Sequence, residues 1–194
     1  EAAKKSMSTQ AFRQEFEATF ESFSGGVFKE EWIKYEDDEE FDEDTASKTG
    51  SYVVSVDPAG FEKSDKSRGL KSSKLDETAI SVVKIVGDEW LVKDIHHGRW
   101  NIKETAEKII TIAEDVNATT VGIEAGALKN AIMPYIEDEM RTRGSWINLT
   151  DVTHGGKRKQ DRIVWSLQGR FEHGKIKFRK AEWNHHFISQ MLDF

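Results

Sequence analysis

The stretch Ser51-Tyr52-Val53-Val54-Ser55-Val56-Asp57-Pro58-Ala59-Gly60 constrains this chain more than any other. Tyr52, Val53, Val54 and Val56 make a short, nearly continuous apolar run rich in β-branched residues, the pattern of a strand buried on both faces of a sheet. Pro58 has no amide proton to give to a central ladder, so the strand stops on Asp57. An acid in that place sits at the rim of the sheet, facing whatever crevice lies above it.

From residue 51 onward the pattern alternates between strands and helices. Strands are expected at 52–56, 78–86 and 90–96, the last two joined by a tight turn at Gly87-Asp88. These three read as an antiparallel meander. An amphipathic helix over 102–115 carries Ile102, Ala106, Ile109, Ile110 and Ala113 on one side. A strand over 119–124 follows, again short, β-branched and ending in an acid, Glu124. Next come a helix over 128–143, strained or kinked at Pro134, a strand over 147–152, and a helix over 159–171. A short edge strand over 175–178 and a final helix over 182–192 complete the pattern. A meander followed by helix–strand–helix–strand is a mixed α/β sheet flanked by helices.

Before residue 51 the chain differs. Residues 8–23 read as a helix, capped by Ser8 or Thr9, with Phe12, Phe16, Phe20 and Phe23 on one stripe. It is expected to be an arm docking that stripe on the domain, with Val27-Phe28 and Trp32-Ile33 as a second short docking segment. Residues 36–44 hold eight acids in nine positions and read as a solvated linker. The division expected is an arm and acidic linker over 1–50 and an α/β domain over 51–194.

Composition narrows the chemistry. No apolar run approaches the ~20 residues that span a bilayer, and Glu1-Ala2-Ala3-Lys4-Lys5 lacks the apolar core of a signal peptide. No membrane association is expected. The chain has no Cys, which removes disulfides and thiolate metal sites and leaves oxygen or imidazole as metal ligands. Net charge is −7, but residues 1–50 carry −8 and the rest +1. Residues 151–180 hold nine Lys or Arg against three acids. A basic face on a near-neutral domain suits a phosphate backbone.

Two buried strands therefore each end in an acid beside glycine, Val56-Asp57 and Ile123-Glu124. If the strands are neighbours, the carboxylates converge where ligands favour α/β sheets, at the strands' C-terminal ends. Paired carboxylates without Cys suit a hard cation, Mg²⁺ or Mn²⁺. Two such ions about 4 Å apart can activate water and stabilise the leaving oxygen in phosphodiester hydrolysis.

These residues bring a family into view. The chain resembles the C-terminal nuclease domain of the large terminase subunit of tailed double-stranded DNA phages, an RNase H-like fold, over nearly its whole length. Val56-Asp57-Pro58-Ala59 resembles that family's first strand and first metal-binding Asp. Asp76-Glu77-Thr78-Ala79-Ile80 resembles its second strand's start, and Val121-Gly122-Ile123-Glu124 its second metal-binding acid. Lys159-Gln160-Asp161-Arg162-Ile163 resembles its Lys-x-x-Arg-Ile helix start. Phe171-Glu172-His173-Gly174-Lys175-Ile176-Lys177-Phe178 is similar to its closing helix–Gly–strand, and the segment from Ser8 to Trp32 to its link with the ATPase domain. Order and spacing carry the likeness.

The resemblance implies that Asp57 and Glu124 bind catalytic metal, two Mg²⁺ or Mn²⁺ ions. It implies an RNase H-like mixed sheet and cleavage of concatemeric double-stranded DNA in the host cytoplasm. It also implies an ATPase domain, a small terminase subunit and a portal as partners. The family's third acid follows a segment this sequence does not reach, and Asp193 does not match it, so the third ligand is expected beyond Phe194. Asp76 is a candidate outer acid or metal ligand, or a strand-start residue. Lys157, Arg158, Lys159 and Arg162 are candidate DNA-backbone contacts, with His154-Gly155-Gly156-Lys157 as a glycine-flexible loop over the site or simply a turn. His96-His97 and His185-His186 read as surface or packing residues. No Walker A pattern is present, so ATP hydrolysis is not expected of this chain. A Holliday-junction resolvase or RNase H relative shares these features, and so does a non-catalytic module docking DNA or a portal.

Overall fold

The computed structural model describes residues 8–9, 26–36, 49–60, 76–153, 156 and 158–194. The phenylalanine stripe over 12–23, most of the acidic run, the polar loop 61–75, and His154, Gly155 and Lys157 lie outside the described residues. Seven strands form one mixed sheet: β1 (Lys34–Glu36), β2 (Ser51–Asp57), β3 (Thr78–Val86), β4 (Glu89–Gly98), β5 (Thr120–Glu124), β6 (Leu149–Val152) and β7 (Ile176–Arg179), ordered β1-β7-β4-β3-β2-β5-β6. Four helices accompany it among the described residues. These are α1 (Ile102–Asp115), α2 (Ala127–Arg143), α3, and α4 (Trp183–Leu192). Helix α3 starts as Lys159–Ile163, passes through a π-helical turn at Val164–Gln168 and returns to α-helix over Gly169–Glu172. This is an RNase H-like sheet, a meander first and parallel strands after it. By contacts the chain divides into two compact units, one of Gly50–Ile85 and Lys93–Thr153, the other of Val86–Val92, His154–Phe194 and the described residues before Gly50.

In the first unit, β2 runs antiparallel to β3 and parallel to β5, which is parallel to β6. Strand alternation puts Val54 and Val56 of β2, Ile80 and Val82 of β3, and Val121 and Ile123 of β5 on one face. They pack there with Ala106, Ile109, Ile110 and Ala113 of α1 and Ile132, Ile136 and Met140 of α2 in one buried core. Burying each valine, isoleucine or methionine side chain of this kind stabilises by about 1.5–3 kcal/mol, which is the main force holding the two helices on the sheet. Helix α1 begins in a reciprocal cap: Glu104 N donates to Asn101 Oδ1 (2.9 Å), and Asn101 N donates to Glu104 Oε2 (3.0 Å). Helix α2 continues through Pro134, which lies on its exposed side, and ends on Gly144 at φ 65°, a left-handed turn suited to glycine. Arg143 then ties the two helices, reaching Glu114 (3.0 Å), Glu139 (3.1 Å) and Thr111 (2.9 Å).

The second unit has an aromatic core. Phe178 of β7 lies 6.0 Å from Phe171, 5.6 Å from Phe187 and 6.1 Å from Trp183 between ring centroids, and Phe28 meets Phe171 edge-on at 5.3 Å. Strand β7, read in the sequence as an edge strand, is not one: β1 pairs with it in parallel, Tyr35 against Phe178, and forms the edge itself. The Lys177–Glu36 ion pair fastens the two. Lys34–Glu36, mostly polar and ending on the first acid of the acidic run, is thus a strand. At the π-turn, the Gln168 side chain is buried; it accepts from Ser8 Oγ (2.7 Å) and donates to the Val27 carbonyl (3.0 Å).

Candidate metal centre

Register brings the two acids together. In the β2–β5 ladder the last registered pair is Val56 with Ile123. Asp57 and Glu124 are the next residue on each strand, so they end neighbouring parallel strands at the same end of the sheet. Because Val56 and Ile123 face the core, alternation turns Asp57 and Glu124 to the opposite face, with Ser55 and Gly122. Their exposure agrees: Asp57 is exposed and Glu124 half-buried, whereas Val56 and Ile123 are buried.

The strand ends are fixed from several sides. Asp57 pairs with Ala79 across the antiparallel ladder. Just past it, Ala59 N donates to the buried Thr78 Oγ1 (3.1 Å), which holds the exit of the chain after Pro58. Glu124 pairs with Val152 of β6, and the next amide, Ala125 N, donates to the Val152 carbonyl (2.9 Å). Lys129, in the first turn of α2, forms an ion pair with Asp151, whose backbone registers with Ile123. Each acid thus ends a strand that is laddered on both sides and itself registers on one, Asp57 with Ala79 and Glu124 with Val152, which is the preorganisation a charged site requires.

Asp76 is exposed and lies two residues before β3. Since β3 is antiparallel, its beginning is at the end of the sheet where β2 and β5 finish, so the structure brings Asp76 to the same rim, three residues beyond the partner of Asp57. Beside it Glu77 Oε2 lies 2.7 Å from His97 Nδ1. The basic candidates belong to the other unit. Arg158 is exposed and Arg162, one turn on, is half-buried, its amide donating to the Arg158 carbonyl (3.1 Å). Lys159 opens α3 with its side chain outside the description, and Lys157 lies outside the described residues. Sequence reasoning did not single out Thr78, Lys129 or Asp151. Thr78 gave a usable signal, a hydroxyl in phase with Ile80 and Val82, but the ion pair depends on β6 lying beside β5.

No protein-family model and no curated protein matches the sequence. Solved structures do match. The nuclease domain of human cytomegalovirus terminase, soaked with Mn and bound to an inhibitor, superposes with a TM-score of 0.53 at 14% identity, over 81% of this chain and 86% of that one. The nuclease domain of the large terminase subunit gp2 of bacterial virus Sf6 superposes with a TM-score of 0.52 at 13% identity, over 86% and 81%. The chain has the fold of a terminase nuclease domain. At these identities the likeness is one of architecture, and a terminase-type sheet leaves the chemistry to be argued from side chains. The donor set here fits a hard divalent cation: two carboxylates on adjacent strand ends, a third acid at the same rim, and no thiolate anywhere in the sequence. Among the described residues no helix is long and apolar enough to cross a membrane.

Proposed function

We propose that this chain is the metal-dependent endonuclease domain of a viral DNA-packaging terminase and cleaves concatemeric double-stranded DNA. The observation that carries the reading is the register of β2 and β5, which makes Asp57 and Glu124 neighbours at one end of the sheet. In this reading both acids hold Mg²⁺ or Mn²⁺, with Asp76 as an outer acid. Bound divalent ions supply water activation and stabilisation of the leaving oxygen in phosphodiester hydrolysis. The chain's own contribution is a fixed pair of negative charges, rigid because the strands that carry them are ladder-bonded on both sides. Lys157, Arg158, Lys159 and Arg162 position the duplex through its phosphates, with little reading of sequence. The terminase ATPase domain, small subunit and portal are its partners, and the host cytoplasm its place of action.

Asp57→Ala and Glu124→Ala should each abolish Mn²⁺-dependent plasmid cleavage and weaken Mn²⁺ binding measured by calorimetry, with the circular dichroism spectrum unchanged. Cleavage persisting at the parental rate in either folded variant removes that residue from the mechanism.

A further inference from the structure

Helix α3 carries two of the basic candidates at its start and an irregularity just after them. Arg158 stands immediately before the helix, and Arg162 lies one turn on. Val164–Gln168 then forms the π-turn, and α-helix resumes at Gly169. A π-turn holds one residue more than a regular turn, so it rotates whatever precedes it by about 100° relative to a continuous α-helix. It therefore decides on which side of α3 the two arginines stand. Such turns are rare, and a contact from outside the helix must favour this one.

Gln168, the last residue of the turn, supplies that contact. Its side chain is 3% exposed, accepts from Ser8 Oγ (2.7 Å) and donates to the Val27 carbonyl (3.0 Å). Ser166, by contrast, bonds locally, its hydroxyl donating to the Arg162 carbonyl (2.7 Å). Beyond the turn the helix is fixed. Phe171 is buried against Phe28 and Phe178, and Glu172 accepts from Thr9 N (2.7 Å). A change at the π-turn must therefore show at the first half of α3, where Arg158 is exposed and Arg162 half-buried. We propose that Gln168 is a positioning residue: its clamp on Ser8 and Val27 holds the π-turn and, with it, the side of α3 on which Arg158 and Arg162 meet DNA. The consequence for DNA rests on the reading that these arginines contact phosphates. Affinity for the duplex then depends on whether Ser8 and Val27 are seated on Gln168.

The test uses the full 194-residue chain, whose lack of Cys allows two introduced cysteines to carry nitroxide labels. Asp161→Cys in the first half of α3 and His185→Cys on α4 are both at exposed positions. Pulsed electron paramagnetic resonance reads the distance between the labels, and fluorescence anisotropy reads binding of a labelled DNA duplex in metal-free buffer. Gln168→Leu should let α3 become continuous and move the label distance by several ångströms, up to about 8 Å for a side chain carried through 100° on a helix of this radius. DNA binding should weaken about tenfold, the loss expected for one charge-assisted contact. Deleting Ser166 in the same variant removes the extra residue, so both the distance and the affinity should return toward the parent. A general loss of stability would not be repaired by shortening the helix. If Gln168→Leu fails to fold, Ser8→Ala, which removes one bond of the clamp, carries the measurement with the same signs. The proposal is refuted if the label distance in the folded variant stays at the parental value, or if the distance moves and DNA affinity does not. In the second case Arg158→Gln tells the failures apart: weaker binding there keeps the phosphate reading and sinks only the role of Gln168, whereas unchanged binding sinks both.

Discussion

Gly122 is the position at which packing beside the acid pair can be tested most sharply. It is buried in β5, registered with Ser55 on one side and Thr150 on the other, two residues before Glu124. A Cβ placed there would lie 2.9 Å from Val152 Cγ2, with the next contact, the Val54 carbonyl, at 4.0 Å. Gly122→Ala therefore forces Val152 to retreat by about half an ångström or to leave its rotamer, at roughly 0.5–1.5 kcal/mol. Some of its packing is lost as well. Removing a glycine from a strand returns about 0.5–1 kcal/mol of backbone entropy. Val152 is 38% exposed and can move only partway into solvent without losing contact, so the net effect should be a destabilisation of about 1 kcal/mol. The decisive measurement is a double-mutant cycle in urea, read by linear extrapolation at constant slope. In a Val152→Ala background the clash is gone while the entropy gain remains, so Gly122→Ala should change sign and stabilise by about 0.5 kcal/mol. An effect of the same sign and size in both backgrounds would refute the claim that Val152 is what excludes a side chain at Gly122.

Two further outcomes concern how each unit is fastened. Arg143→Ala should cost about 1 kcal/mol, since its partly exposed pairs with Glu114 and Glu139 are screened by solvent. Hydrogen bonds from Ser145 and Arg143 hold the Glu114 carboxyl below its ordinary value of 4.5. That contribution is present above pH 4.5 and is lost as pH falls through the lowered value. Thermal melts from pH 6 to 3 should therefore show a smaller acid-induced drop in Arg143→Ala than in the parent; parallel curves would dismiss the clasp as a source of acid sensitivity. Gln168→Leu leaves the Ser8 hydroxyl and Val27 carbonyl without their partner, a loss of about 1–3 kcal/mol. Hydrogen exchange should speed up at amides 26–36 while those of α1 and α2 keep their protection, and uniform acceleration across both units would count against a local clamp.

The meander, the two acid-tipped strands and the helices after them could be read from sequence because their buried residues recur at the period of the element. Helix 102–115 emerged with the bounds the pattern gives. Strand β1 could not be read, because Lys34-Tyr35-Glu36 is short and mostly polar and its pairing partner, β7, lies about 140 residues away. The π-turn in α3 was hidden for a related reason: its Gln168 is positioned by partners at Ser8 and Val27 rather than by a local pattern. The burial of Lys84 in β3 was legible and overlooked. In a strand where Ile80 and Val82 point inward, strict alternation places the residue two further on inward as well, whatever its charge.

The acid pair shows where pattern gives way to topology. Sequence marks Asp57 and Glu124 as strand ends, but not as neighbours, since β5 follows β4 in the chain and could have paired with it. Strand β7 occupies that edge of β4 instead, through Trp90, Leu91 and Val92. The opposite edge of the meander belongs to β2, and β5 reaches it through α1, running parallel to β2 as a helical crossover permits. Parallel pairing is what matters for the site, because it sets the two C-terminal ends side by side; antiparallel pairing on the same edge would have sent Glu124 to the far end of β2. The candidate centre is thus a consequence of which edge of β4 was filled, and the residues that filled it lie some fifty positions after Glu124 in the chain.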